Sequence, residues 1–99
     1  MRIEFLDPAT KELREAIVYY NEQSEGLGYR FAAEVKRTLL RIARYPHAWP
    51  PISKRARRCR TIGFPYGVIY QASEGVILVV AVMHLHRKPG YWQDRAIDQ

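Results

Sequence analysis

The sequence predicts a single α+β domain, with a two-helix hairpin packed on a mostly antiparallel sheet of about four strands. One basis for this is the run from Val76 to Leu85, which contains one polar side chain, His84, and five β-branched residues. Two segments with helical periodicity precede the run, and short stretches rich in glycine and proline separate the elements. The run is bounded by turn residues and is too short for a buried helix. It therefore predicts a central strand covered on both faces.

Length and composition restrict the class of protein. A chain of 99 residues is long enough for one hydrophobic core, so residues 1–99 are expected to form one domain. The 16 Lys and Arg residues outnumber the 10 Asp and Glu residues, which indicates contact with nucleic acid or an acidic partner. The single cysteine, Cys59, excludes an internal disulfide and is typical of a reducing compartment. No apolar stretch approaches the roughly 18 residues of a membrane span, so a soluble, cytoplasmic protein without membrane contact is expected.

The N-terminal part reads as a strand followed by a helix. Residues 1–6 alternate between polar and apolar side chains, which predicts a strand with one buried face. Asp7 is expected to cap the following helix and Pro8 to occupy its first position, so the helix is predicted over residues 8–24. Its apolar stripe consists of Leu13, Ala16, Ile17 and Tyr20.

A second helix is predicted over residues 27–45. The two glycines at positions 26 and 28 interrupt the first pattern, and Tyr45-Pro46 ends the second. Two amphipathic helices joined by so short a loop are expected to pack as an antiparallel hairpin. The stripe that recurs along this helix consists of Phe31, Val35, Leu39 and Ile42.

The C-terminal half is predicted to form the rest of the sheet. Residues 46–53 form a proline-rich loop whose Trp49 is expected to fold back onto the core. Antiparallel strands are predicted within residues 54–86, and a charged tail within residues 87–99. The basic strand at residues 56–62 is expected near a sheet edge, where charge discourages unwanted pairing.

Charge is distributed unevenly along the chain. Residues 1–25 hold six acidic and three basic side chains, whereas residues 35–73 hold nine basic side chains and no acidic one. In the basic strand, alternation places Arg58 and Arg60 on one face and Arg57 and Cys59 on the other. The sequence therefore predicts a contiguous positive region that begins in the second helix and runs into this strand.

The order of these elements resembles the RelE/ParE superfamily of toxins from type II toxin–antitoxin systems. The resemblance covers nearly the whole chain and is carried by four motifs taken together. They are Glu15-Ala16-Ile17-Val18-Tyr19-Tyr20, Gly26-Leu27-Gly28, Phe64-Pro65-Tyr66, and Val79-Val80-Ala81-Val82-Met83-His84 before Arg87-Lys88-Pro89-Gly90-Tyr91-Trp92.

The resemblance implies a cognate antitoxin protein whose C-terminal segment wraps across the groove and sheet of the toxin. It also implies growth inhibition, a role in plasmid stabilisation and the formation of higher-order toxin–antitoxin complexes. RelE-like members cut mRNA in the ribosomal A site, whereas ParE-like members inhibit DNA gyrase and are not nucleases. The first-helix signature and the LVVAVMH run followed by Arg-Lys favour the ParE-like branch.

Three functions are therefore carried forward. The leading one is a gyrase-inhibiting toxin, the first alternative is a ribosome-dependent mRNA endoribonuclease, and the second is a basic nucleic-acid-binding module without toxicity. Metal-free RNA cleavage needs a base, an acid and cations beside the phosphate. The candidates for these roles are Arg60, His84, His86, Arg87 and Tyr91. Tyr91 falls earlier than the tyrosine of RelE-like enzymes, and the central strands contain no glutamate.

Target binding is predicted for the basic strand and the start of the tail. The residues are Arg57, Arg58, Arg60, Arg87, Lys88, Tyr91 and Trp92. Alternatively, Tyr91 and Trp92 pack the tail against the sheet, and His84 is a hydrogen-bonded histidine at the rim of the core. No cofactor is expected, and no metal, because the His84–His86 pair has no third ligand nearby in the sequence.

Overall fold

A computed structural model describes residues 1–95 of the chain. In chain order, the elements are β1 (Arg2–Phe5), α1 (Asp7–Gln23), α2 (Leu27–Arg44), β2 (Arg57–Arg60), β3 (Tyr66–Ser73), β4 (Val76–His84) and a short 3₁₀ helix (Gln93–Arg95).

The four strands form one mixed sheet in the order β1-β4-β3-β2. β1 pairs with β4 in parallel, whereas β2 with β3 and β3 with β4 are antiparallel pairs. Glu74 and Gly75 connect β3 to β4 with φ angles of +47° and +80°, the left-handed conformation that two-residue hairpin turns require. The predicted fold class is confirmed, and β4 is central as expected.

Both faces of β4 are covered, but by different parts of the chain. Ile77, Val79 and Val82 belong to the core beneath the two helices, together with Phe31 and Val35 of α2. The opposite face is covered by the proline loop and the C-terminal segment. Its buried residues are Ala56, Ile69, Val80, Ala81, Met83 and Trp92. The helices therefore form one layer, and the tail contributes to the other.

The start of α1 differs from the prediction. Asp7 is the first helical residue rather than the cap, and Leu6 occupies the N-cap position without a side-chain hydrogen bond. The carbonyl of Leu6 accepts hydrogen bonds from the backbone N–H groups of Ala9 and Thr10, which supplies the first turn. Pro8 follows inside the first turn, where a backbone N–H would have no helical partner, so its absence has no cost. The negative Asp7 carboxylate in the same turn is stabilised by the positive end of the helix dipole.

The crossing of α1 and α2 is close enough to require a glycine at position 28. A Cβ atom on Gly28 would lie 2.1 Å from the carbonyl oxygen of Ile17. The Gly28 N–H instead donates to Oδ1 of Asn21 at 2.7 Å. The predicted hairpin boundaries are within one residue of those observed.

The contacts that hold the proline loop on the core include a packed ring and two hydrogen bonds from side chains to its backbone carbonyls. Trp49 packs against the cluster beneath the helices, as predicted. The Tyr70 hydroxyl donates to the Pro46 carbonyl at 2.7 Å, and Nη1 of Arg57 donates to the Trp49 carbonyl at 2.7 Å. Burial raises the pKa of Tyr70 to about 12, so this hydroxyl stays a donor well above physiological pH.

The basic strand is shorter than the predicted 56–62, since β2 spans only Arg57–Arg60. It lies at a sheet edge, as expected. The Arg58 N–H donates to the Pro50 carbonyl, so the loop covers part of that edge. Residues 96–99 of the predicted tail lie outside the described residues. Among the helices of residues 1–95, none combines the length and apolar character needed to cross a bilayer.

Candidate functional site

The open face of β2 presents two arginines. Arg58 and Arg60 alternate with Cys59, which is buried beneath the helices, so both point to the opposite face of the sheet. The aliphatic part of the Arg58 side chain crosses β3 directly above Gly67. A Cβ atom added to Gly67 would lie 3.0 Å from Cγ and Cδ of Arg58. Gly67 thus leaves room for Arg58 to lie across the sheet towards β4.

Arg57 has a different environment from its two neighbours. It lies on the face that carries Cys59, and its guanidinium is engaged by the Trp49 carbonyl. Of the three β2 arginines predicted to bind a target, only Arg58 and Arg60 therefore lie on the open face.

The end of β4 brings the two candidate histidines together. The rings of His84 and His86 lie 5.2 Å apart, and the His84 ring lies 5.1 Å from that of Tyr66. Nδ1 of His84 accepts a hydrogen bond from the His86 backbone N–H at 3.1 Å. His84 is half-buried at the rim and His86 is exposed.

A carboxylate from α1 organises the C-terminal segment. Glu12 Oε1 accepts a hydrogen bond from the backbone N–H of Val82 at 3.0 Å, at the part of β4 that extends beyond the end of β1. Nη1 of Arg95 donates to the same oxygen at 2.8 Å and lies 3.4 Å from the Val80 carbonyl. Side chains from α1 and the tail thus satisfy backbone groups of β4 on the side where β1 has ended, while β3 pairs with its other side.

The same carboxylate binds two of the predicted functional residues. The Tyr91 hydroxyl donates to Glu12 Oε2 at 2.6 Å, and Nη1 of Arg87 lies 3.4 Å from that oxygen. The Arg87 guanidinium also stacks on the Tyr91 ring, 3.7 Å from its centroid. We call Glu12, Val82, Arg87, Tyr91 and Arg95 the Glu12 cluster.

The Glu12 cluster raises the pKa of Tyr91. Burial, and then the hydrogen bond to the Glu12 carboxylate, raise the pKa of Tyr91 well above its usual value, and the two arginines offset this only in part. The hydrogen bond to Glu12 also raises the pKa of Arg95. Tyr91 is therefore a neutral hydrogen-bond donor whose proton is already engaged.

The Trp92 ring lies inside the protein. Only 3% of the residue is exposed, and it packs in the cluster on the tail side of the sheet. It was predicted to bind a target, but its position agrees with the alternative that the tail packs on the sheet. Four cationic residues of the predicted target-binding set remain accessible to a partner. We call them the basic rim: Arg58, Arg60, Arg87 and Lys88.

A second buried carboxylate, Glu34, was not found from the sequence. It accepts hydrogen bonds from Nη2 of Arg41 at 2.9 Å, Nε of Arg37 at 3.1 Å and the Ile62 backbone N–H at 2.7 Å. Burial alone would raise the pKa of Glu34, but these donors outweigh it and hold the pKa below its usual value. Glu34 thus fixes the loop between β2 and β3 to α2.

The candidate ribonuclease residues do not form one constellation. The strand registers pair Arg60 with Gly67 and Gly67 with Met83, which places Arg60 two strands, or about 10 Å, from the end of β4. No hydrogen bond, ion pair or ring contact within residues 1–95 joins Arg60 to either histidine or to Arg87. In the same part of the chain, no three His, Cys, Asp or Glu side chains are grouped as metal ligands.

Similarity to solved structures supports the class that this architecture defines, the RelE/ParE toxin fold. A chain from the chromosomal ParDE toxin–antitoxin system of P. aeruginosa aligns with a TM-score of 0.76 at 9% identity, covering 87% of this chain and 97% of that one. The isolated RelE toxin of E. coli aligns with a TM-score of 0.65 at 19% identity, covering 94% of this chain and 93% of that one. At these identities the similarity establishes the fold alone.

Family comparison is more specific. The family described as the ParE toxin of the type II toxin–antitoxin system parDE matches residues 3–89. A search of curated proteins gave no significant match. The chain belongs to the ParE toxin family and is a type II toxin of the ParE/RelE superfamily, and toxins of this kind pair with a cognate antitoxin.

Proposed function

We propose that this protein arrests growth by inhibiting DNA gyrase, that it acts in the cytoplasm by binding rather than by cleavage, and that its cognate antitoxin neutralises it. The observation that carries the proposal is the hydrogen bond of 2.6 Å from the Tyr91 hydroxyl to Glu12. A ribonuclease of the alternative kind needs a free acid and cations at this end of the sheet. Here the tyrosine and its neighbouring arginine are engaged by a carboxylate of the same chain.

The engagement of Tyr91 would weaken catalysis in two ways. Its raised pKa lowers its capacity to donate a proton to a leaving oxygen. The Glu12 carboxylate also places a negative charge 2.8 Å from the guanidinium of Arg95, which reduces the attraction of that cation for phosphate. Both effects favour a binding surface over a phosphodiester-cleaving site.

The basic rim is the part of the surface that we assign to gyrase. Gly67 leaves room for the Arg58 side chain across the sheet, and the Arg87 guanidinium stacks on the Tyr91 ring, so the Arg87 cation is ordered before any partner arrives. Preordered side chains lose less conformational entropy on binding. The formal net charge of +6 would also accelerate association with acidic surfaces.

Purified toxin provides the test. It should inhibit negative supercoiling by gyrase at micromolar concentration and should leave ribosome-bound mRNA intact. The Arg58→Glu/Arg60→Glu variant should lose at least about tenfold in inhibitory potency, because two cations of the rim are reversed. The Lys11→Glu/Arg14→Glu variant carries the same change in charge on the exposed side of α1 and should retain its potency.

Ribonuclease activity has one observation in its favour, the exposed His86 ring 5.2 Å from that of His84. A translation extract distinguishes this second function. If the toxin cuts mRNA at defined codon positions, if His84→Ala abolishes the cuts, and if supercoiling is unaffected, the function is mRNA cleavage and not gyrase inhibition. Binding to nucleic acid with steep salt dependence, but without growth arrest, would instead indicate the non-toxic module.

A further inference from the structure

The loop between β2 and β3 displays an exposed isoleucine on a rigid turn. Ile62 is 68% exposed, although it immediately follows the buried Thr61. A single exposed aliphatic residue is common on protein surfaces and needs no functional explanation. Ile62 differs because the backbone on each side of it is held by dedicated polar groups.

Two side chains fix this turn, residues 61–66, which we call the Ile62 turn. Glu34 Oε2 accepts the Ile62 N–H at 2.7 Å, across 28 residues of sequence. The Thr61 hydroxyl lies 2.9 Å from the Phe64 carbonyl and 3.1 Å from the Tyr66 carbonyl. Glu34 is only 4% exposed, so a buried carboxylate maintains the position of an exposed apolar residue.

A pocket of about 560 Å³ separates the Ile62 turn from the start of α2. Leu27, Phe64 and Pro65 contribute apolar surface to its walls, and Arg30 and Arg37 lie on its helical side. The one carboxylate in the lining, Glu34, is already neutralised by its two arginine partners. The opening is therefore positively charged and the walls are partly apolar.

The two arginines retain capacity for a partner. Arg37 uses Nε for Glu34, and its side chain is 61% exposed. Arg30 makes no ion pair with any group in residues 1–95. A guanidinium presents five N–H donors in a planar fork that matches a carboxylate. The pocket is thus complementary to an apolar side chain flanked by acidic residues.

We propose that the Ile62 turn and this pocket form a second docking surface for the inhibited enzyme, which receives an acidic protein segment with an apolar anchor. The identity of the enzyme as gyrase rests on the function proposed above. The Ile62 turn directly follows β2, the strand that carries Arg58 and Arg60 of the basic rim. A nucleic acid would use the arginines but would leave Ile62 and Leu27 without an apolar partner.

The matched pair Ile62→Asp and Leu40→Asp tests this assignment. Both residues are exposed, at 68% and 58%, so either substitution should leave the fold intact, which thermal unfolding would verify. Leu40 is not part of the pocket lining and serves as the control. Binding of gyrase to immobilised toxin and inhibition of supercoiling should both weaken by about tenfold or more in Ile62→Asp and remain unchanged in Leu40→Asp.

The arginines receive a separate test. Arg30→Glu should reduce gyrase binding by a similar factor, whereas Arg14→Glu on α1 should not, because only the former repels an acidic segment. Complex formation with the antitoxin is measured in parallel for all four variants and should be retained.

The outcomes separate this inference from the proposed function. If the wild-type toxin fails to inhibit gyrase, the proposed function fails and this assignment with it. If the wild-type toxin inhibits gyrase and Ile62→Asp inhibits equally, only the second docking surface is refuted. Loss of antitoxin binding in Ile62→Asp with gyrase inhibition retained would assign the pocket to the antitoxin and also overturn the proposal.

Discussion

Replacing Glu12 with alanine should release the C-terminal segment from the sheet. The Glu12 side chain is 10% exposed and serves the Val82 N–H, the Tyr91 hydroxyl and the Arg95 guanidinium, with Arg87 further away at 3.4 Å. Removing it leaves these donors without their acceptor. Because Trp92 lies between Tyr91 and Arg95, its burial depends on the same contacts.

The magnitude follows from which partners are buried. Arg87 is 53% exposed and would be rehydrated at little cost, whereas Arg95 is 19% exposed and Tyr91 is half-buried. A hydrogen bond to a charged group contributes about 1.5 to 3 kcal/mol, and such contributions are not additive within one cluster. We therefore expect Glu12→Ala to lower the free energy of unfolding by about 3 kcal/mol, or the melting temperature by roughly 12 to 24 °C.

Chemical and thermal unfolding, combined with hydrogen exchange, provide the assay. Glu15→Ala is the matched control, because Glu15 lies on the exposed side of the same helix and its substitution removes the same charge. In Glu12→Ala, amides of residues 87–95 and of Val82 should exchange faster, and trypsin should cleave sooner after Arg87. Equal stability and equal exchange in the two variants would refute the assigned role of Glu12.

Three further predictions concern the scaffold. Glu34→Gln should lower the free energy of unfolding at neutral pH. The difference from wild type should shrink as pH falls below the usual carboxyl pKa of 4.5, because the depressed pKa of folded Glu34 gives stability that is lost when the carboxylate is protonated. A pH-independent difference in unfolding free energy would contradict this role of Glu34. Tyr70→Phe should destabilise by about 1 kcal/mol and increase hydrogen exchange in residues 46–53, since the donor to the Pro46 carbonyl is removed; unchanged exchange there would be inconsistent with this contact. Gly28→Ala should cost about 2 kcal/mol or more in urea unfolding, because the new methyl meets the Ile17 carbonyl; a neutral result would show that the helices separate freely.

The sheet and the hairpin could be predicted because their signals are local. Val76 to Met83 encodes a doubly covered strand through its uninterrupted apolar run, and Gly26 and Pro46 lie just outside the two ends of the second helix. The start of α1 was predicted one residue late. Asp7 has a side chain suited to capping, but the Leu6 carbonyl satisfies the first turn, so Asp7 enters the helix.

The polar organisation of the surfaces could not be predicted, because its contacts are distant in sequence. Glu12 lies outside the apolar stripe of α1 and reads as solvated, yet its partners are 70 to 83 residues away. Glu34 is likewise recognised only once Ile62, 28 residues later, is brought beside it. Trp92 could be either a docking residue or a core residue, and only the position of the tail distinguished the two.

Gyrase inhibition by the intact toxin is tested most directly in cells. The toxin is induced with and without its cognate antitoxin, and plasmid supercoiling and protein synthesis are followed together over time. Plasmid supercoiling should fail first, while translation continues, and co-expression of the antitoxin should prevent both the topological change and growth arrest. Immediate loss of protein synthesis with normal plasmid supercoiling would contradict a gyrase-directed toxin.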